Sequence, residues 1–127
     1  MRLFNRCLRI FILFVLPPST FSLALQAQST KLLRQPTISA SQVAFTYGSD
    51  LWVADLNGQN VLRLTSTPAV ESDPHFSPDG KWIAFTSNRS GNMAVYIVSA
   101  KGGEPKRLTF HPAATISRGW TNDGKQV

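Results

Sequence analysis

The chain has 127 residues, 43% of them hydrophobic and 16% charged, the balance of one small globular domain and not of a disordered segment. Its formal charge of +6 is misleading, because Arg2, Arg6 and Arg9 precede the apolar run from Ile10 to Leu16 in what reads as a leader. Without residues 1–27, ten Lys and Arg face seven Asp and Glu, a net +3 scattered through turns and strand ends; a nucleic-acid partner is excluded for want of a dense basic face.

In chain order, the first element is that leader. A basic start, an apolar core and a small-residue end at Ala24 to Ala27 predict a secretory signal peptide over residues 1–27. Pro17 and Pro18 interrupt the run far short of the roughly 20 residues a spanning helix needs, so a membrane anchor is the weaker reading. The only cysteine, Cys7, lies inside the leader, which leaves the expected mature chain without a disulfide or a thiolate metal site. The product is expected to be exported, to the periplasm or beyond, and to meet the membrane only through its export signal.

Next comes a text that is written twice. Val43-Ala44-Phe45-Thr46 is answered by Ile83-Ala84-Phe85-Thr86 at an offset of 40, and Leu64-Thr65 by Leu108-Thr109 at 44. The difference is a four-residue insertion, "SNRSGNMA" standing where the first copy has "YGSD". Both stretches hold turn-forming residues, and insertions gather at such tips. Each copy has four short apolar stretches. They are separated by Ser77-Pro78-Asp79-Gly80, by Asn57 to Asn60, or by Lys101 to Pro105, and none shows helical spacing. Within "KWIAFTS", Trp82, Ala84 and Thr86 share one face while Ile83 and Phe85 share the other, so the sheet needs neighbours on both sides.

A period of 40 to 44 residues with four strands predicts an all-β chain, a partial β-propeller of four-stranded antiparallel blades. Residues 28–127 are read as an incomplete propeller of about two and a half blades: blade one over 36–65, blade two over 73–109, and the start of blade three over 116–127, where "WTNDGK" repeats the phrase "FSPDGK". Blade one lacks the Pro-Asp-Gly turn and is two residues shorter there, which predicts a tighter opening hairpin.

His75, His111, Asp73, Asp79 and Ser77 are the residue types of a nucleophilic triad. Each already has a turn or strand duty, Asp73 before Pro74 being read as a cap on loop amides, and no nucleophile-bearing elbow is present. No catalytic, cofactor-binding or metal-binding residue is therefore assigned. Trp52, Trp82 and Trp120, with Tyr47 and Tyr96, are read as packing between blades, with a peptide site at the channel mouth as the competing reading. Asn88-Arg89-Ser90 is a chance glycosylation sequon.

The phrases "FSPDGKWIAFTS", "GGEPKRLT" and "GWTNDGK" resemble the WD40-like blades of TolB-type propellers. Their order, after "LLRQPTIS" and "VAFTYGSDLWVADLNGQNVLRLTS", is most similar to the N-terminal propeller of tricorn-type serine proteases, over Lys31 to Val127. The resemblance implies a non-catalytic module that binds or gates peptides or unfolded polypeptide. Further blades and a peptidase domain are expected downstream of it, and no cofactor is implied. The alternatives are a TolB-like propeller working by protein contact in the cell envelope, and the propeller cap of a prolyl-oligopeptidase-like hydrolase.

Overall fold

The computed structural model describes residues 33–127, so the expected leader over 1–27 lies outside the described residues. Eight strands make two antiparallel sheets of identical topology. The first holds β1 (Arg34–Ile38), β2 (Gln42–Tyr47), β3 (Asp50–Asp55) and β4 (Leu62–Arg63), in the order β1-β2-β3-β4. The second holds β5 (Glu71–Phe76), β6 (Trp82–Ser90), β7 (Asn92–Ser99) and β8 (Lys106–Arg107), in the order β5-β6-β7-β8. Two four-stranded blades of a propeller are thus in place, and β1 and β5 each begin two residues ahead of the blade starts read from the sequence.

The blades face each other through an apolar seam. Cross-strand partners share a face, so the pairs Ala44↔Val53 and Thr46↔Leu51 set one side of the first sheet. The pairs Ile83↔Val98 and Phe85↔Tyr96 set one side of the second. These two faces, with Leu64, form the core, and Leu51, Ile83, Phe85 and Val98 are wholly shielded from water. Phe85 stacks on Tyr96 with ring centroids 5.9 Å apart. The reverse face of the second sheet, with Ala84, Thr86 and Val95, is buried too. The segment after β8 returns over it, with Ser117 N–H donating to Thr86 Oγ1 at 2.9 Å and Thr115 N–H to the Met93 carbonyl at 2.9 Å.

Outer strands of only two residues hold because a side chain completes the ladder. Thr65 Oγ1 accepts the Leu51 N–H at 2.8 Å, and Thr109 Oγ1 the Val95 N–H at 2.9 Å. In both blades the preceding arginine closes the motif, Arg63 Nε donating to the Thr65 carbonyl at 2.8 Å and Arg107 Nε to that of Thr109 at 2.6 Å. The repeated "RLT" is therefore a clasp of side-chain-to-backbone hydrogen bonds, and it pairs main-chain groups that would otherwise go without partners.

The inserted residues lengthen one hairpin. Gly48 and Ser49, at φ 61° and 75°, turn β2 into β3 as a two-residue loop, whereas β6 and β7 run 9 and 8 residues to a tip at Gly91. The "SPDGK" turn recurs bond for bond. Ser77 Oγ donates to Asp79 Oδ1 at 2.6 Å and accepts the Trp82 N–H at 3.0 Å; Thr121 Oγ1 donates to Asp123 Oδ1 at 2.6 Å and accepts the Gln126 N–H at 3.1 Å. Consecutive turns also touch. A Cβ on Gly80 would lie 3.2 Å from Ser39 Cβ, and one on Gly124 would lie 3.5 Å from Pro78 Cδ.

Among the described residues, 116–127 hold the third copy of the turn and no paired strand. One expectation needs correction. Asp73 does not cap a loop. It lies inside β5 at φ 49°, where the register with β6 shifts between Ser72 and His75. Gln35 does the same in β1 at φ 51°, before Pro36, with the register shifting between Arg34 and Thr37. Left-handed geometry at a non-glycine residue costs about 1–3 kcal/mol, so these paired bulges are held by their surroundings.

Candidate functional site

The two bulges lie side by side and lock each other. Gln35 Nε2 donates to Asp73 Oδ1 at 3.1 Å, and the Asp73 N–H donates to Gln35 Oε1 at 3.0 Å. Beside this pair of hydrogen bonds, between the two blades, is a cavity of about 590 Å³. Its wall carries Arg34, Gln35 and Thr46 from β1 and β2, Ser49 from the first hairpin, and Glu71 and Ser72 from β5. Ser49, at φ 75°, is itself left-handed and accepts the Glu71 N–H at 2.9 Å. Three of the four non-glycine residues with positive φ among the described residues therefore border this one junction.

Glu71 has a wholly buried side chain. Its Oε1 accepts from Arg89 Nη2 at 2.8 Å and from Thr67 Oγ1 at 3.4 Å, while Oε2 has no hydrogen-bond partner. Burial pushes the Glu71 carboxyl above its ordinary value, against the pull of the Arg89 guanidinium. Arg89 comes from the four-residue insertion and is fixed on three sides. It lies 5.4 Å over the Phe85 ring and 4.9 Å over that of Tyr96, and its Nε donates to Ser87 Oγ at 3.1 Å. Arg34, by contrast, is exposed at the cavity and pairs with no carboxylate among the described residues.

The triad residue types are not brought together. Ser77 Oγ is held by Asp79 and the Trp82 amide in its turn. Asp73 is bound to Gln35 and Ser72. His75 lies in β5, where its carbonyl accepts from Trp120 Nε1 at 2.9 Å, and His111 Nδ1 accepts the Ala113 N–H in an exposed loop. The hydrogen bond from Ser77 lowers the Asp79 carboxyl below the usual range, and that from Thr121 does the same for Asp123; both are signs of turn closure. Among the described residues no cluster of His, Cys, Asp or Glu is arranged to hold a metal ion. Of the aromatics, Tyr96 is buried at the seam, whereas Trp82 stays 44% exposed beside a second cavity of about 390 Å³.

Sequence reasoning singled out none of Arg34, Gln35, Glu71 or Arg89 as site residues. Two signals were available: a polar residue before proline at matching places in both copies, and a lone arginine inside the insertion.

The domain family described as the tricorn protease N-terminal beta propeller domain matches residues 30–127. Tricorn protease homolog 1 of Streptomyces coelicolor is 38% identical over 101 residues, which are 79% of this chain and 10% of that protein. The solved structure of the tricorn protease superposes with a TM-score of 0.63 at 28% identity, over 75% of this chain and 10% of that one. TolB from Acinetobacter baumannii superposes with a TM-score of 0.62 at 28% identity, over 72% and 24% respectively. This chain spans about a tenth of these two tricorn proteins. With two blades in the expected topology and a family match across all the described residues, the chain belongs to the tricorn protease N-terminal β-propeller family.

Proposed function

We propose that this chain is the non-catalytic propeller portion of an exported tricorn-like serine protease, which binds or gates peptide substrates for a peptidase domain on the same assembly. The observation that carries the reading is the family match over residues 30–127, joined to blades in which Ser77, Asp79 and Asp73 are spent on a turn and a bulge. A serine nucleophile needs a base within hydrogen-bond reach and an oxyanion site beside it. Export is part of the proposal and rests on the arginine-led apolar start; intact-mass measurement of the exported product tests it, with cleavage expected after Ala24 to Ala27.

The functional test is titration of the purified chain with labelled, unstructured peptides, following anisotropy for binding and chromatography for turnover. Saturable binding without cleavage is the expected result. Cleavage would make the chain an enzyme in its own right. Absence of binding to any peptide would move the reading to a TolB-like contact propeller, which the TM-score to TolB keeps in view.

A further inference from the structure

The second cavity, of about 390 Å³, lies at the opposite end of the seam, between Ser41 and Gln42 of the first blade and Lys81, Trp82, Ser99 and Lys101 of the second. It holds a tryptophan that the repeat does not require. Positions 42, 82 and 126 are equivalent, since each donates its N–H to the hydroxyl that closes its turn. Gln42 donates to Ser39 Oγ at 3.0 Å, Trp82 to Ser77 Oγ at 3.0 Å and Gln126 to Thr121 Oγ1 at 3.1 Å. Glutamine serves in two copies and tryptophan in one. Trp52 Nε1 donates to the Tyr47 carbonyl at 3.1 Å and Trp120 Nε1 to that of His75 at 2.9 Å, whereas Trp82 Nε1 has no acceptor among the described residues. Trp82 stays 44% exposed. Lys101 departs from the repeat in the same way, standing where the first copy has Asn57. It pairs with no carboxylate among the described residues, and Lys81 reaches Asp79 only at 3.7 Å with its own side chain 77% exposed. The Gln42 amide and the Ser41 hydroxyl have no hydrogen-bond partner among the described residues either, both residues being held through the main chain.

An indole left to water offers an apolar plate with one N–H at its edge. Around this plate stand an amide, hydroxyls and two ammonium groups, in a volume within the usual range for small ligands. A sugar ring has C–H groups on its faces and hydroxyls around its rim, and a carboxylate on that ring answers the two lysines. A nucleobase is ordinarily held between two apolar faces, whereas this lining, apart from Trp82 and Ala100, is polar. We propose that this pocket binds an acidic sugar, with the ring laid on Trp82, the hydroxyls taken by Gln42, Ser41 and Ser99, and the carboxylate held by Lys101 with Lys81. This site goes beyond peptide handling, uses other residues, and stands or falls apart from it.

Calorimetric titration of the intact chain tests the site, with disaccharides of glucuronate and of galacturonate, their neutral methyl esters, AMP and inorganic phosphate as probes. The variants are Trp82→Gln and Lys101→Asn, each introducing the residue that another copy holds at that place, so that the turns keep their main-chain bonds. Saturable binding of at least one acidic disaccharide is expected, weakened roughly tenfold or more in Trp82→Gln by loss of the stacking plate. Its methyl ester should bind roughly fivefold more weakly, the worth of a charge pair open to water. Lys101→Asn should leave the ester unchanged and bring the acidic sugar down towards it. Acidic-sugar affinity that is unchanged in Trp82→Gln, or no better than that of phosphate, would overturn the site and leave two surface lysines attracting anions. Tighter binding of AMP than of either acidic disaccharide would overturn the sugar assignment in favour of a nucleotide. Failure of both acidic disaccharides to bind would overturn it outright.

Discussion

The two sheets carry nearly the same text yet live in different surroundings. Ile83 and Phe85 are wholly buried, whereas Val43 and Phe45, at the same places in the first copy, are half-buried. Leu64 is 7% exposed and its counterpart Leu108 is 38% exposed. The strands are equivalent, so the difference comes from the neighbour. The seam covers Ile83, Phe85 and Leu64 because each faces the other blade, while Val43, Phe45 and Leu108 lie on faces with no blade against them. In a propeller, burial belongs to the junction and not to the strand, and identical residues acquire different energetic weights.

The largest expected effect tests that statement directly. Phe85→Ala should destabilise the chain by about 3–5 kcal/mol, the usual range for a fully buried aromatic, and Phe45→Ala by less than about half as much. Denaturant midpoints of the two variants measure this. Equal losses would mean that the outer face of the first sheet is covered in solution, which sedimentation would report as self-association.

The two arginine–carboxylate pairs sharpen the same comparison. Arg89 meets a wholly buried Glu71 with its own side chain 16% exposed, and Arg63 meets Asp50 at 2.7 Å with its side chain 45% exposed. Removing one partner of a buried pair strands the other, for about 3–5 kcal/mol. The Arg63–Asp50 pair is open to water on the arginine side only, Asp50 being 10% exposed, so its loss also strands a carboxylate, but one that water reaches where Glu71 is sealed. Arg89→Ala should therefore lower the unfolding midpoint at neutral pH more than Arg63→Ala. Similar shifts would show that Glu71 finds other donors when Arg89 is gone.

How much of this was legible beforehand follows from what repeats. The blades were readable because the turn, the Ala-Phe-Thr strand and "RLT" occur twice, and a pattern seen twice separates rule from accident. The clasp through Thr65 and Thr109 and the turn bonds of Ser77 and Thr121 give that pattern its physical content. The cavity was not readable, because it arises from contacts 38 residues apart, as between Gln35 and Asp73, and from left-handed residues in strands that a β pattern presents as ordinary. Asp73 before Pro74 looked like a loop cap for the same reason: an X-Pro pair signals a departure from regular structure without saying whether a loop or a bulge results. The Glu71–Arg89 pair was hidden because its arginine belongs to the inserted part, for which the other copy offers no counterpart.

The turn glycines offer a smaller contrast. Gly80 is at φ +69° with a substituent Cβ only 3.2 Å from the Ser39 side chain, whereas Gly124, at φ +67°, leaves 3.5 Å to Pro78. Both alanine variants pay for the left-handed backbone, about 1 kcal/mol, but only Gly80→Ala must also displace the neighbouring blade's turn. Thermal midpoints should place Gly80→Ala below Gly124→Ala. The opposite order would show that turn-to-turn contact adds nothing to the backbone term.

The smallest expected effect is one of pH, and it returns to the wall of the cavity. Burial raises the Glu71 carboxyl above its ordinary value of 4.5, with the hydrogen bond and charge of Arg89 opposing. An acid whose affinity for its proton is higher in the folded chain than in the unfolded one favours folding while protonated. That contribution is complete below the unfolded value and is lost as pH rises through the raised folded one. Asp79 and Asp123 run the other way, since lowered carboxyls stabilise the turns above their unfolded value and lose that effect in acid. Comparison with Glu71→Gln isolates the first contribution, because the variant keeps both turns and cannot titrate at 71. The stability of Glu71→Gln relative to wild type should therefore rise as pH is taken upward from about 4.5 and level off once Glu71 is fully ionised. Glu71→Gln also loses the ion pair to Arg89, which offsets the whole curve but leaves its slope set by the proton. A relative stability that falls over the same interval would mean that Arg89 overcomes the burial of Glu71, so that the junction is held by the ion pair.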